Sequence, residues 1–249
     1  MSSVIDPSHI IPKYYQLANI LRRQVEEGMF KPHENIPSER HLESQYNLSR
    51  PTIRQAIDLL ERQGLLYRVH GKGTFVSPPK IQMGMQELTS FSEDMRSRGM
   101  KPGHRILEFE EITPPKRIAQ RLEISEPDRK VLRIKRLRLG NNEPIGIQDS
   151  YVALPKGQII QRSEIEEIGS IYAIMREKYG QFPTEAEETL EVTLATPEEA
   201  SLLQIPEGSP LLLNERLTWS QDRQAIEFVR ILYRGDRYKY YTRLSRKSS

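Results

Sequence analysis

The sequence predicts an α+β protein of two domains, and three observations support this prediction. First, 249 residues suffice for one large domain or two ordinary ones. Second, the net charge of +3 lies entirely in the first 80 residues, which carry 11 Lys and Arg against 8 Asp and Glu. Third, a Pro-containing segment separates this basic region from a neutral region in which a helix-and-hairpin pattern occurs twice.

The N-terminal region is predicted to contain three helices. Apolar residues recur at helical spacing over residues 14–25. Ser38 is the predicted N-cap of a short second helix, and Ser49 is that of a third helix, which ends at Gly64. Because only residues 46–48 separate the second helix from the third, the two are predicted to form a helix-turn-helix.

The third helix carries polar residues opposite its apolar stripe, namely Arg50, Thr52, Arg54 and Gln55. Arg50 and Arg54 stand one helical turn apart and therefore project from the same face. Arg donates two parallel hydrogen bonds to guanine, and Thr offers a hydroxyl and a methyl group. Arg40, at the start of the second helix, would reach a backbone phosphate. The pattern favours a DNA-reading helix, with an ordinary solvated helix face as the alternative.

A β-hairpin is predicted after the third helix, from the apolar runs at residues 65–69 and 74–76. Its tip consists of His70, Gly71, Lys72 and Gly73. Glycine at a tip lets the backbone approach a groove or a phosphate without a Cβ clash. The tip does not match a nucleotide phosphate loop, because one residue separates the glycines and a strand follows where a helix is needed.

The best candidate for a linker is SPPKIQMGMQE, residues 77–87. Its Pro pair prevents helix continuation, and Gly84 loosens the chain further. We therefore expect a first domain at residues 1–77, a linker at 78–87 and a second domain at 88–249.

The second domain contains an internal repeat. Copies begin at Thr113 and Thr196, and each runs through Thr-Pro, a short helix, Leu-x-Ile, a turn and a two-stranded hairpin. Arg136 and Arg216 each stand five residues after the start of the first strand of their copy. A further helix is predicted at residues 170–180, between the copies. Chance similarity is the alternative, but a true repeat predicts an antiparallel sheet with attached helices.

Basic residues alternate along the first strand of the first copy: Arg133, Lys135, Arg136 and Arg138. Alternate residues of a strand share one face, so Arg136 and Arg138 lie together. Two converging guanidiniums repel unless an anion lies between them, and Arg holds phosphate or carboxylate with two hydrogen bonds. The pattern indicates an anion site, with solvent-facing arginines paired to nearby Glu as the alternative.

Composition argues against several other classes of protein. Without cysteine there are no disulfides, thiolate metal sites or cysteine nucleophiles, and the five histidines lack metal-ligand spacing. We therefore expect no metal, no cofactor and no enzymatic activity, although the many carboxylates leave an acid–base pair open. No apolar run approaches the about 18 residues of a membrane span, and no secretion signal is evident. A soluble cytoplasmic protein is expected.

Residues 36–76, which include PSER, SRPTIRQA and GKGTFV, resemble the winged helix-turn-helix of the GntR superfamily of bacterial transcription regulators. The resemblance implies that the third helix enters the major groove and that the hairpin is a wing whose tip enters the minor groove. Double-stranded operator DNA is the implied partner. The implied DNA-binding residues are Arg40, Ser49, Arg50, Thr52, Arg54, Gln55, His70, Gly71, Lys72 and Gly73.

Residues 88–245 resemble the effector domain of the HutC subfamily, called UTRA, which has a chorismate-lyase-like fold. The motifs include LTSFSEDMRSRGMKPG, GSIYAIMREKYG and EFVRILYRGDRYKY. The pattern is similar to that of bacterial regulators that sense phosphosugars such as N-acetylglucosamine-6-phosphate or glucosamine-6-phosphate. By this resemblance Ser90, Arg136, Arg138, Ser170 and Tyr172 would bind the phosphate. Glu227 and Tyr233 would face the sugar.

Gln148 departs from that resemblance, because the phosphoaminosugar sensors have Glu at the corresponding position. Glu only accepts hydrogen bonds at neutral pH, whereas Gln also donates, so the sugar substituent that fits would differ. The expected protein is a homodimeric repressor that a phosphosugar releases from a pseudo-palindromic operator. The alternatives are another acidic effector, such as an organic acid or a nucleotide, and a phosphosugar-binding enzyme or sensor.

Overall fold

The computed structural model describes residues 5–69, 71–84, 88–126 and 128–242. The chain divides into two compact units, Met1–Ile81 and Gln82–Ser249. No helix within the described ranges is long and apolar enough to cross a membrane.

The first unit contains three helices and a hairpin, as predicted. Its elements are α1 (Lys13–Glu26), α2 (Glu39–Tyr46), α3 (Arg50–Arg62), β1 (Leu66–Val69) and β2 (Gly73–Val76). The strands pair antiparallel from Leu66 opposite Val76 to Val69 opposite Gly73. Asn47 ends α2 in the left-handed conformation, which turns the chain sharply towards α3.

The core of the first unit fixes which face of α3 remains outside. Apolar side chains of α1, α2, α3 and the hairpin form one buried cluster, including Leu17, Leu21, Leu42, Ile53, Ala56, Ile57, Leu60 and Leu66. Ser38 caps α2 by accepting from the amide of His41. Ser49 precedes α3 as predicted, but the expected cap bond is absent, because its hydroxyl bonds to the hydroxyl of Thr52 at 2.9 Å.

The rest of the chain forms an antiparallel sheet with helices on both faces. Its elements are β3 (Ile81–Gly84), α4 (Phe91–Ser97), β4 (Pro102–Ile112), α5 (Lys116–Arg121), β5 (Val131–Gly140), β6 (Glu143–Val152), α6 (Arg162–Ile168), α7 (Ile171–Tyr179), β7 (Pro183–Leu194), α8 (Pro197–Leu203), β8 (Pro210–Ser220), β9 (Ala225–Arg234) and β10 (Tyr238–Tyr241). β3 pairs with β10, and the other six strands form one sheet in the order β4-β5-β6-β9-β8-β7.

The strand order confirms the internal repeat and extends it. Each copy is a strand, a short helix and a hairpin: β4-α5-β5-β6 and then β7-α8-β8-β9. The two copies meet where β6 pairs with β9, from Gly146 opposite Tyr233 to Val152 opposite Glu227. The sheet therefore has an approximate twofold arrangement, in which β4 and β7, which sequence analysis missed, are its two edges.

Helices cover the two faces of this sheet unequally. On one face, Ile118 of α5 and Leu203 of α8 anchor separate apolar clusters on the strands. On the other face, α6 and α7 pack on Ile134 and Val152 in a third cluster. The predicted helix at 170–180 is α7, whereas α6 is an addition. Because α6 and α7 cover only part of their face, a polar cavity remains beside them.

Candidate operator interface and effector pocket

The exposed face of α3 presents the arginines that sequence analysis assigned to DNA. Arg50 and Arg54 lie on the same face, because the Nε atoms of both donate to Glu39 Oε2 at 3.1 Å. Gln55 is exposed on this helix, and Arg40 is exposed on α2. These side chains protrude because the apolar residues between them are held in the core.

The hairpin tip places Lys72 in an exposed position between two glycines. Gly71 has φ +72° and Gly73 φ +126°, values that other residues rarely adopt. A Cβ at Gly73 would also lie only 2.7 Å from Asn35 Oδ1, so this glycine allows the tip to pass close to the preceding loop. His70 lies outside the described residues.

The second unit contains a cavity of about 260 Å³ against the sheet, beside α4 and α7. Its lining includes every residue assigned to the effector by resemblance: Ser90, Arg136, Arg138, Gln148, Ser170, Tyr172, Glu227 and Tyr233. The cavity also contacts β7 and β8. Residues from both copies of the repeat therefore meet in one pocket.

Two guanidiniums form the cationic end of the pocket. The residues Arg136 and Arg138 are 1% and 3% exposed, and both donate to the carbonyl oxygen of Gly169, at 3.3 and 3.5 Å. The Nε atoms of both are buried without a partner, and neither residue forms an ion pair with a carboxylate of the described chain. The alternative of solvent-facing arginines paired with Glu is therefore wrong for these two residues.

Burial makes the positive charges of this pair costly. It lowers the pKa of Arg136 to about 10. Burial and then the like charge of Arg136 lower the pKa of Arg138 well below its ordinary value. The guanidinium of Arg138 also lies over the Phe91 ring, 4.3 Å from its centroid, which partly stabilises the cation.

Two serines in the pocket wall occupy helix N-caps. Ser170 precedes α7, and its hydroxyl accepts from the amide of Ala173 at 3.3 Å. Ser90 precedes α4 and accepts from the amide of Glu93 at 3.3 Å. The N-terminus of α7 carries the partial positive charge of the helix dipole. It therefore adds to the positive potential that Arg136 and Arg138 create.

A second group of buried polar residues lines the pocket, on α7, β8 and β9. The hydroxyl of Tyr172 donates to Glu227 Oε2 at 2.6 Å and lies 3.1 Å from the hydroxyl of Thr218. Burial raises the pKa of the Tyr172 phenol, so this group remains a donor. Its hydroxyl therefore lies on the side assigned to the sugar, although resemblance assigned Tyr172 to the phosphate.

Gln148 is buried on β6, directly opposite Arg136 of β5. Its Nε2 donates to the hydroxyl of Ser150 at 2.8 Å, and its Oε1 is buried without a partner among the described residues. Tyr233 lies on β9 with its ring 4.2 Å from that of Tyr238. Both side chains have polar atoms in reach of a cavity that has room for a ligand.

The pocket also contains Glu188, Asn214 and Arg216, which were not predicted from the sequence. Arg216 Nη1 lies 3.4 Å from the Thr89 carbonyl oxygen and 3.5 Å from Glu188, while its Nε has no partner among the described residues. Burial opposes the charge of Arg216, but nearby anionic and phenolic groups outweigh burial and raise its pKa. The internal repeat could have identified Arg216 as a pocket residue, because Arg216 occupies the position in the second copy that Arg136 occupies in the first.

The other basic residues of β5 belong to the opposite face of the sheet. Arg133 donates to both carboxylate oxygens of Asp149, at 3.1 and 3.0 Å, and contacts Glu108 at 2.7 Å. Lys135 contacts the same Glu108 at 3.3 Å. Strand alternation turns these two residues away from the pocket, so they do not line it.

His104 on β4 lies behind the paired arginines. A Cβ at Gly169 would lie 3.3 Å from the imidazole, so the ring packs directly against the turn between α6 and α7. Burial, followed by the charges of Arg136 and Arg138, lowers the pKa of His104 to about 4. The imidazole is therefore neutral at pH 7.

Comparison with protein families identifies the class of this chain. The UTRA domain model matches residues 97–239, and the model of bacterial regulatory proteins of the gntR family matches residues 13–76. The chain therefore belongs to the gntR family and carries a UTRA domain. It is a DNA-binding transcriptional repressor of the GntR/HutC type and not an enzyme.

Individual relatives cover nearly the whole chain. The HTH-type transcriptional repressor NagR of Bacillus subtilis is 40% identical over 239 residues, which are 96% of this chain and 97% of that protein. The histidine utilization repressor of Pseudomonas aeruginosa is 33% identical and covers 94% of this chain and 92% of its own. The crystal structure of PhnF from Mycobacterium smegmatis aligns with a TM-score of 0.61 at 26% identity, over 92% of this chain and 99% of that chain.

Proposed function

We propose that this repressor binds operator DNA as a cytoplasmic homodimer and is released from it by a phosphosugar. In this proposal α3 reads bases in the major groove, and the hairpin of β1 and β2 contacts the minor groove and its phosphates. The pocket of the second unit takes the phosphosugar. A twofold dimer would match an operator of two half-sites.

The observation that carries the effector assignment is the pair of buried guanidiniums. Burying a charge without a counter-charge is costly, and unsatisfied buried donors add to this cost. Among the described residues, Arg136 and Arg138 share one neutral carbonyl oxygen as their hydrogen-bond acceptor. A phosphate between them would neutralise the charge and accept from the Nε and Nη groups with near-ideal geometry.

The rest of the pocket suits a sugar better than an apolar body. Glu227 accepts hydrogen bonds, while Gln148 and Asn214 offer both donors and acceptors to hydroxyl groups. The amides of Gln148 and Asn214 each contain a buried oxygen without a partner in the described chain. We propose N-acetylglucosamine-6-phosphate or glucosamine-6-phosphate as the first effectors to test, with Gln148 deciding which sugar substituent is accepted.

A thermal-unfolding panel tests the effector class. The ligands are the two phosphosugars, unphosphorylated N-acetylglucosamine, inorganic phosphate, citrate and a nucleotide. A ligand at 100 times its Kd stabilises the folded state by about 2.7 kcal/mol, so a true effector raises the midpoint clearly. We expect the phosphosugars to exceed inorganic phosphate and the free sugar to have no effect. Stabilisation by citrate or the nucleotide alone would favour the other acidic effectors.

Operator release is tested with a duplex that the protein itself selects from a randomised DNA pool. Fluorescence anisotropy of this duplex should fall when the stabilising phosphosugar is added. By linkage, the duplex must weaken phosphosugar affinity by the same factor. An increase in DNA affinity on adding the ligand would contradict release and would identify the ligand as a co-repressor.

A further inference from the structure

Glu39, the first residue of α2, lies between Arg50 and Arg54, two exposed arginines of α3. One of its oxygens, Oε2, accepts from Arg50 Nε and from Arg54 Nε, both at 3.1 Å. Burial opposes ionisation of Glu39, but hydrogen bonds from both arginines outweigh burial and lower its pKa. Glu39 is therefore an anion at neutral pH that bridges two residues of the neighbouring helix.

A carboxylate on a DNA-facing surface requires an explanation, because DNA phosphates repel it. An acidic residue in the first turn stabilises the dipole of α2, but this role needs no contact with α3. Glu can also accept from the amino group of cytosine. Here, however, Oε2 already accepts two hydrogen bonds, and Oε1 lies 3.4 Å from Arg54 Nε. The carboxylate is therefore directed at the two arginines.

The contacts to Glu39 leave the outer ends of both arginines free. In each case the donor is Nε, and the terminal Nη groups form no hydrogen bond with any described residue. The two Nη atoms of a guanidinium form the end-on fork that matches guanine O6 and N7. A side chain held through Nε is thus restricted in rotation while its base-reading end remains available.

We propose that Glu39 is a positioning residue for base readout. It holds Arg50 and Arg54 in one orientation before DNA arrives, so less side-chain entropy is lost when they meet correctly spaced guanines. By this preorganisation Glu39 increases the ratio of operator affinity to random-DNA affinity. Its charge also repels the phosphates of both kinds of DNA, and this effect cancels in the ratio. This inference rests on the base-reading role of α3.

The test measures that ratio directly. The probes are the duplex that the wild-type protein selects from a randomised pool and a duplex of scrambled sequence. The variants are Glu39→Gln and a matched control, Glu43→Gln, which removes the same charge one turn later on α2. Glu43 lies 3.9 Å from Arg50 without a hydrogen bond to it. We expect Glu39→Gln to lower the affinity ratio about tenfold and Glu43→Gln to leave it unchanged.

Two further variants separate positioning from direct contact and from misfolding. In a protein that carries Arg50→Ala and Arg54→Ala, Glu39→Gln should not change the ratio, since its effect acts through those arginines. Glu39→Asp keeps the charge but shortens the reach, and it should lower the ratio with an unchanged circular dichroism melting curve.

Three results would overturn the proposal. If Glu39→Gln and Glu43→Gln raise both affinities equally, the carboxylate acts only by charge repulsion. If the effect of Glu39→Gln persists without the arginines, Glu39 contacts DNA itself. If Glu39→Asp keeps the full ratio, orientation is not what Glu39 provides. Failure of the wild-type protein to select any duplex would instead refute the base-reading role of α3.

Discussion

The two units each contain a pair of arginines on one face, and the surroundings of the pairs differ. Arg50 and Arg54 are exposed and share a carboxylate, Glu39. Arg136 and Arg138 are buried, share the carbonyl oxygen of Gly169 as acceptor, and form no direct ion pair with a carboxylate of the described residues. Water and the carboxylate stabilise the first pair without a ligand. The charge of Glu227 acts on the second pair without a hydrogen bond to it, and an anion between the guanidiniums would add a direct counter-charge. Exposure therefore suits the first pair to a long DNA duplex, and burial suits the second pair to a small anion.

The largest effect is expected from replacing one buried cation. Arg138→Met should weaken phosphosugar binding by about 2–5 kcal/mol in calorimetry, since one half of the anion site is lost. The same change should leave the thermal midpoint of the ligand-free protein unchanged or higher, because an apolar side chain replaces a buried charge whose burial outweighs its favourable interactions. The control is Arg105→Met, on the exposed side of β4. A lower ligand-free midpoint with intact binding would contradict the assignment of the buried pair.

Replacing a residue of the exposed pair, Arg50 and Arg54, should weaken DNA binding and not phosphosugar binding. Arg54→Ala should cost about 1–3 kcal/mol in affinity for the selected duplex if Arg54 makes a good base contact, and it should not alter phosphosugar binding. Arg62→Ala, at the other end of α3, provides a matched control. Equal losses in both variants, measured by anisotropy, would show that α3 contributes charge and not base recognition.

The dependence of affinity on salt concentration should also distinguish the DNA-binding surface from the effector pocket. Log affinity for DNA should fall steeply and linearly with log salt concentration, whereas phosphosugar affinity should fall less, because buried charges are screened less. Lys72→Ala should reduce the DNA slope by about 0.9 if its ammonium neutralises one phosphate. If Lys72→Ala leaves the slope of log DNA affinity against log salt concentration unchanged, the hairpin tip does not contact DNA phosphates.

The smallest effect concerns pH. The pKa of His104 falls to about 4 in the folded protein from 6.5, so the unfolded chain binds the extra proton between these values. The contribution of His104 to stability is fully present above pH 6.5 and is lost progressively as the pH falls towards 4. His104→Gln should flatten the pH dependence of the unfolding free energy in that window, measured by denaturant titration. An unchanged profile would show that the imidazole is not held against Arg136 and Arg138.

Elements with a strong local signal were predicted well. The helices of the first unit follow from apolar spacing, and their starts follow from Ser38 and Ser49. The hairpins of the repeat follow from turn residues between apolar runs. The strands β4 and β7 were missed because they are sheet edges in which no residue is fully buried, so their apolar alternation is weak. The helix α6 was not predicted either.

The pocket residues also divide into those that sequence motifs predict and those that depend on how distant strands pair. Motif resemblance assigned eight residues, and the fold brings all eight to one cavity. Arg216 was missed although the repeat aligned it with Arg136, since nothing in the sequence states that equivalent positions of two copies face one cavity. The register of β6 with β9 decides this, because it joins the copies with both arginines on the same face.

The sequence by itself determined the order of the elements, the repeat and the alternation that puts Arg136 and Arg138 on one side of a strand. These properties depend on residues a few positions apart, whose spacing fixes the direction of each side chain. Only the tertiary structure decided that this pair is buried without a direct ion pair to a described carboxylate and that Glu39 accepts hydrogen bonds from Arg50 and Arg54. Burial and pairing depend on which distant elements pack together, and free energy spread over a whole core selects that packing.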